Sequence, residues 1–195
     1  MCSIIGYKGK FASTLVRNLL DESRIRGVHA FGYYSNKGQS HTLDYNNFRD
    51  TILKEKPELF VAHLRYSTSG DYKNLENNQP LVKYSKDKLA LVFNGVISQL
   101  SKSNMEFQYQ TNLPTDNDGW ILVENLDNEK FLTDKSISFA TTYIKNETLF
   151  AYRNKYRPMY YNENKDRVVI ASTRDILSRV GIEATNTIEH KLYEW

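Results

Sequence analysis

Apolar residues along this chain recur at two different spacings, which predict where its strands and helices lie. A spacing of three or four residues predicts amphipathic helices that end near Arg24 and before Pro57. Short, continuous runs of apolar, β-branched and aromatic residues predict buried strands. These runs occupy 2–7, 28–35, 39–43, 59–66 and 89–94.

The second half of the chain alternates helix signals and strand signals. Thr115, Asp116 and Asn117 supply helix-capping side chains, so a helix is expected to begin directly after them. Short strand-like runs alternate with turns over 137–171, which predicts a meander, and a capped helix is expected at about 173–180. Strands and helices in separate blocks predict an α+β fold with helices outside packed, largely antiparallel sheets.

Composition and charge exclude several classes of protein. The 195 residues are 40% hydrophobic and 25% charged, as expected of one globular domain spanning 1–195. No stretch approaches the roughly 20 apolar residues of a membrane span. The net charge of +3 is spread along the chain, so we expect no nucleic-acid binding, although basic and aromatic residues alternate at 152–161. The single cysteine excludes an internal disulfide and predicts a reducing, cytoplasmic setting.

Cys2, the single cysteine, stands directly behind the initiator methionine. If Met1 is removed, one residue carries both a thiol nucleophile and an α-amino group whose ordinary pKa of about 7.7 to 8.0 suits a general base. The alternative is a small buried hydrophobic residue on a first strand, which position alone favours. The rest of the sequence has to decide between the two interpretations.

Three polar segments stand where predicted strands end or a predicted helix begins. Arg65 follows a buried strand and can clamp a carboxylate, or form a surface ion pair. Asn94 and Gly95 can donate to one oxyanion, or form a hairpin turn. Asp116 can pair with an ammonium group, or cap a helix. Read together with Cys2, these groups match the parts of an amino-acid amide, which favours glutamine hydrolysis.

The order of short motifs along nearly the whole chain resembles the glutaminase domain of class II glutamine amidotransferases. The similarity is greatest to the N-terminal domain of glutamine phosphoribosylpyrophosphate amidotransferase. The motifs are CSIIG at 2–6, RG at 26–27, HLRYST at 63–68, NQPL at 78–81, FNG at 93–95, TD at 115–116, RP at 157–158 and AS at 171–172.

The resemblance implies an N-terminal-nucleophile (Ntn) hydrolase fold, a four-layer αββα sandwich of two mainly antiparallel sheets. It implies that Cys2 attacks the side-chain amide of L-glutamine and forms a thioester, with Asn94 and Gly95 as the oxyanion hole. Arg65 and Asp116 are then expected to bind the α-carboxylate and α-ammonium groups. Thr68, Arg26 and Ser67 are expected to support this pocket. No cofactor and no metal site are expected.

Relatives that carry this domain also carry a synthase domain that consumes the ammonia, and no such domain is recognisable within residues 1–195. We therefore expect a standalone glutaminase subunit, free to oligomerise, that passes ammonia to a separate partner synthase. The chain departs from the family pattern at Ser3, Asn154, Tyr156 and Thr173. These departures leave open a catalytically silent domain that binds a partner, or an amidohydrolase that acts on another small amide.

Overall fold

The strands and helices are short and numerous. The computed structural model describes residues 1–67 and 70–195. The strands are β1 Ser3–Gly9, β2 Ala30–Ser35, β3 Gln39–Thr42, β4 Leu59–Arg65, β5 Leu81–Tyr84, β6 Lys88–Val96, β7 Ser138–Lys145, β8 Thr148–Arg153, β9 Tyr160–Glu163, β10 Arg167–Ala171, β11 Thr185–Asn186 and β12 Tyr193–Glu194. The helices are α1 Ser13–Arg24, α2 Tyr45–Glu55, α3 Lys102–Tyr109, α4 Gly119–Glu124, α5 Glu129–Leu132 and α6 Arg174–Arg179, with a 3-10 turn at Leu75–Asn77.

The strands form two antiparallel sheets. The order in the first sheet is β11-β9-β10-β1-β4-β2-β3, and in the second sheet β12-β8-β7-β6-β5. The predicted meander over 137–171 is wrong in one respect, because β7 and β8 belong to the second sheet whereas β9 and β10 belong to the first. The chain crosses between the sheets at 154–159, where Pro158 cannot donate to a strand ladder.

Three apolar clusters show how the layers pack. One lies between the first sheet and the helices α1, α2 and α6, and includes Leu19, Phe48 and Ile176. A second lies between the two sheets. The third joins the outer face of the second sheet to α3, α4 and α5, and includes Met105 and Ile121. The expected four-layer αββα sandwich is therefore confirmed, since each sheet is covered by helices on one face and by the other sheet on the opposite face.

Local signals explain where the helices begin and end. The Asp44 carboxylate accepts hydrogen bonds from the backbone N–H groups of Asn46 and Asn47 and so caps α2. Lys56 closes the same helix in the left-handed conformation, with φ of 50°, directly before Pro57. Within the described ranges, no helix is long and apolar enough to cross a membrane.

Candidate active site

Cys2 lies directly before β1, where the first sheet ends. Its thiol lies 3.7 Å from the carbonyl oxygen of Tyr66, just beyond β4, and can donate a hydrogen bond to it. Its own carbonyl oxygen accepts a hydrogen bond from Nε of Arg26, 3.2 Å away. The next strand residues are fixed as well, because the N–H of Ile4 donates to Oγ of buried Ser172 at 2.8 Å. Cys2 is thus held by contacts from three separate parts of the chain.

Burial raises the pKa of the Cys2 thiol, and the carbonyl of Tyr66, the chain's amino terminus, Arg65 and Arg26 each offset this in part. A thiol with a raised pKa is protonated at neutral pH, and the protonated form is a poor nucleophile. Catalysis at this position therefore requires a general base close to the sulfur. The α-amino group that Met1 removal would expose on the same residue meets that requirement.

A single cavity brings together five of the eight site residues predicted from the sequence. Cys2, Arg65, Ser67, Gly95 and Asp116 all line it. These residues come from the segment before β1, from the end of β4 and the residues just after it, from β6 and from the segment before α4, so only the folded chain assembles them.

Two of the other predicted residues are not part of this lining. Asn94 lies next to Gly95 on β6, and Arg26 reaches the main chain of Cys2 instead of the cavity. Thr68 lies outside the described residues. The roles of all eight residues remain predictions.

Asn94 and Gly95 lie within β6, so the alternative that they form a hairpin turn is wrong. Asn94 is 3% exposed, and its amide nitrogen is buried without a hydrogen-bond partner among the described residues. Such an orphaned donor costs about 1 to 3 kcal/mol, and a catalytic or ligand-binding role is one reason why native proteins keep one. A side chain at position 95 would place its Cβ 2.0 Å from the carbonyl oxygen of Ser138, so only glycine fits.

Arg65 ends β4 with its guanidinium group fixed in place. Its Nη1 donates to the carbonyl oxygen of Asn77 at 2.9 Å and to Oδ1 of Asn78 at 2.7 Å. Burial lowers the pKa of Arg65, while the charges of Cys2, Asp118 and Asp71 act in the opposite direction. The group remains a cation, since arginine does not lose its proton in proteins.

Asn77, Asn78 and Gln79 tie the walls of the cavity together. Besides the bonds to Arg65, the carbonyl oxygen of Asn77 accepts from Nδ2 of Asn117 at 2.9 Å, and its side-chain oxygen accepts from the N–H of Asp116 at 3.2 Å. Oε1 of Gln79 accepts from the buried N–H of Phe93 at 2.6 Å. The motif NQPL at 78–81 had no role in the sequence analysis. These hydrogen bonds show that its first two residues hold Arg65 and the backbone of Phe93 in place.

Two acidic residues lie at this cavity, and the sequence analysis named only one. Asp116 is exposed, whereas the carboxylate of Asp118 accepts hydrogen bonds from the N–H groups of Ile97 at 2.7 Å and Ser98 at 3.0 Å. Burial raises the pKa of Asp118, and these two N–H groups offset it in part. Its position two residues after Asp116, at the start of α4, is the signal that sequence reasoning could have used.

Two histidines also lie beside the site. His29 accepts a hydrogen bond at Nδ1 from the N–H of Ser67 at 2.9 Å and stacks on the ring of Tyr72. His63 lines the cavity, is 1% exposed and has an Nε2 atom with no partner among the described residues. Burial lowers the pKa of His63 to about 3, so its ring is neutral. No cluster of three metal-binding side chains occurs among the residues that the structure describes.

Comparison with solved structures places the fold. The chain superimposes over 99% of its length on the allosteric regulatory enzyme of purine biosynthesis, with a TM-score of 0.78 and 19% identity, and covers 46% of that chain. The corresponding values for glutamine phosphoribosylpyrophosphate amidotransferase from B. subtilis are 99%, 0.75, 18% and 47%. A glutamine aminotransferase class-II domain protein from Silicibacter pomeroyi is covered over 94% of its chain, with a TM-score of 0.60 and 13% identity. These likenesses show an Ntn-hydrolase glutaminase fold.

Sequence comparison gives the family. The profile of the glutamine amidotransferase domain matches residues 63–179, which is more than half of the chain. The chain is also 24% identical over 185 residues to glutamine–fructose-6-phosphate aminotransferase from Bacillus licheniformis, covering 91% of this chain and 30% of that protein. The chain therefore belongs to the glutamine amidotransferase domain family, a family of enzymes, in its class II form with an N-terminal cysteine. It spans about a third of this curated relative.

Proposed function

We propose that this chain hydrolyses the side-chain amide of L-glutamine to glutamate and ammonia through a thioester on Cys2. The observation that carries the proposal is the single cavity in which Cys2, Arg65, Gly95 and Asp116 meet. The orphaned amide of Asn94 next to Gly95 supports it, since a developing oxyanion would satisfy that donor. Residues 1–195 act in this proposal as one glutaminase domain.

The reaction begins once Met1 has been removed and the α-amino group of Cys2 is free. This amine takes the thiol proton as the sulfur attacks the amide carbon, and Asn94 and Gly95 donate to the oxygen that becomes negative. The amine then gives the proton to the departing nitrogen, which leaves as ammonia. Water attacks the thioester, again losing its proton to the amine, and that proton returns to the sulfur as glutamate leaves.

The amino-acid end of the substrate decides which amide is accepted. Arg65, whose guanidinium group is held at the cavity by Asn77 and Asn78, can pair with the α-carboxylate. Asp116 is exposed and placed to pair with the α-ammonium group. These two charges favour a free amino acid over a simple acyl amide.

Glutamate release by the Met1-free protein tests this function. Cys2→Ala is expected to abolish release, while Asp134→Asn, a change at an exposed position away from the cavity, is expected to leave it unchanged. Asp116→Asn is expected to raise KM for glutamine and to leave hydrolysis of an amide without an α-amino group unaffected. Activity that persists in Cys2→Ala would contradict the proposal.

We further propose that the ammonia serves a separate partner synthase, and that the protein works as a standalone subunit in the cytoplasm. The Silicibacter pomeroyi structure supports this, because that chain consists of little more than this fold. A reducing compartment suits a reaction that needs a free thiol. Co-purification tests the proposal. A partner synthase should co-purify with the wild-type protein and with the Cys2→Ala variant, and it should raise the glutaminase activity of the wild-type protein. Full activity of the isolated chain, unchanged by any co-purified protein, would contradict it.

A further inference from the structure

The side chain of Met1 lies between two arginine side chains beside Cys2. Nη2 of Arg26 is 3.9 Å from its sulfur, and Nη1 of Arg157 is 3.7 Å from the same sulfur. Arg26 follows α1, whereas Arg157 lies in the crossing between the sheets, so the two cations come from distant parts of the chain. We call Arg26 and Arg157 the arginine pair.

The arginine pair has no acidic partner among the described residues. No ion pair within those ranges includes Arg26 or Arg157. Burial lowers the pKa of Arg26, and the nearby charge of Arg157 lowers it further, while only Cys2 acts in the opposite direction. The Nε atom of Arg157 is buried and has no hydrogen-bond partner within residues 1–67 and 70–195.

Two neighbouring cations that share no anion repel each other and leave donors unused. A thioether is a weak hydrogen-bond acceptor and carries no charge, so Met1 compensates neither guanidinium group. Guanidinium groups bind phosphate oxygens through short, charge-assisted hydrogen bonds, often two at a time. A dianionic, tetrahedral phosphate group matches both the charge and the number of donors available here.

We propose that Arg26 and Arg157 form a phosphate-binding site beside Cys2 that becomes available when Met1 is removed. The proposal rests on the proposed function, which requires that removal. The sulfur atom occupies the position between the guanidinium groups until an aminopeptidase cleaves the peptide bond before Cys2. The site is distinct from the glutamine cavity, since neither Arg26 nor Arg157 lines that cavity.

Isothermal titration calorimetry with inorganic phosphate tests the site on Met1-free protein. Wild-type protein is expected to bind one phosphate saturably, and Arg157→Gln to bind it at least about tenfold more weakly, because one set of charge-assisted bonds is lost. Arg17→Gln, at an exposed position on α1, is the matched control and is expected to bind like wild type. Absence of saturable binding in wild type, or equal affinity in Arg157→Gln, would overturn the site.

Two further arms make the result specific. Methyl phosphate that binds as tightly as inorganic phosphate supports a phosphorylated compound as the ligand class, whereas binding of inorganic phosphate alone supports the free ion. If Arg157→Gln fails to fold by circular dichroism, Arg157→Lys replaces it and is expected to weaken binding, because a lysine lacks the planar fork.

Glutamate release measured on the same samples separates the two proposals. Cys2-dependent release without phosphate binding overturns the site alone. Phosphate binding without glutamate release supports the site and contradicts the proposed function.

Discussion

Replacement of Gly95 by alanine adds a Cβ on β6 directly against the backbone of β7. A Cβ there would lie 2.0 Å from the carbonyl oxygen of Ser138 and 2.6 Å from Cα of Phe139, and both are backbone atoms. Ordinary contacts of a Cβ begin at about 3.4 Å, so β6 and β7 would have to separate by more than 1 Å. The same movement would displace the Gly95 N–H from the position in which we expect it to donate to the oxyanion.

The loss of stability in Gly95→Ala follows from the backbone movement that the added Cβ requires. Overpacking of a close-packed interior costs typically about 1 to 3 kcal/mol, and Gly95→Ala should reach the upper end because no flexible side chain can yield. For a chain of this length, a loss of about 3 kcal/mol corresponds to a fall in Tm of roughly 6 to 12 °C. Glutamate release should fall by a further factor of about a hundred or more, as when an oxyanion donor is lost.

Gly38→Ala is the matched control for this prediction. The nearest atom to a Cβ at position 38 is Oε1 of Glu55 at 3.1 Å, the end of a flexible side chain. We expect this variant to stay within about 1 kcal/mol of wild type. Urea denaturation followed by circular dichroism gives the stability of both variants, and glutamate release gives their activity at a temperature where each is folded. Equal midpoints for the two variants, with activity retained in Gly95→Ala, would refute the reasoning.

Three other predictions follow from the site. Gln79→Leu leaves the buried N–H of Phe93 without its acceptor and should lower the free energy of unfolding, measured by urea denaturation, by about 1 to 3 kcal/mol. The exposed control Gln39→Leu should lower it by less than about 0.5 kcal/mol, and equal losses in the two variants would contradict the prediction. Arg65→Lys keeps the charge but loses the planar fork, so steady-state kinetics should show KM for glutamine raised at least about tenfold; an unchanged KM would exclude the clamp. Burial raises the pKa of the Cys2 thiol in the chain that carries Met1. The protonated thiol therefore contributes to folding stability in full below the pKa of the thiol in the unfolded chain, and this contribution is lost as the pH rises through the pKa in the folded chain. The difference in stability between wild type and Cys2→Ser, measured from about pH 7 to about pH 10, should therefore move against wild type, and a constant difference would contradict the shift.

The sequence predicted the layers because they follow from local patterns. The helix that ends before Pro57 and the strand that precedes Arg65 each come from an apolar spacing and a boundary residue, and both were found. The division of the strands between two sheets was not predictable in this way. β8 and β9 carry similar strand signals, and the sheet to which each belongs depends on pairing with distant strands.

In the candidate site, too, the sequence predicted the residues that local motifs mark and missed those that depend on distant contacts. Cys2, Arg65 and Gly95 were found because motif order marked them, and the structure places them in one cavity. The sequence did not indicate that three polar residues, Asn77, Gln79 and Asp118, hold the cavity wall together. They do so through hydrogen bonds to residues far away along the chain. Residue types alone do not show which polar side chain will find a buried partner.

Asn154 shows that a departure from a family pattern can have a structural meaning. Its Oδ1 accepts from the N–H of Phe139 at 3.1 Å, and its Nδ2 donates to the carbonyl oxygen of Ile137 at 2.8 Å. Phe139 is the strand partner of Gly95, so Asn154 fixes the segment of β7 against which the predicted oxyanion hole is built. Asn154 therefore stabilises the predicted site through the backbone of β7, without lining the cavity itself.

Mass spectrometry of the intact protein after incubation with a glutamine-analogue electrophile tests the central claim most directly. We expect a chain that lacks Met1 and carries one adduct, located on Cys2 and prevented by excess glutamine. A chain that keeps Met1, an adduct at another residue, or labelling that glutamine does not prevent would contradict it.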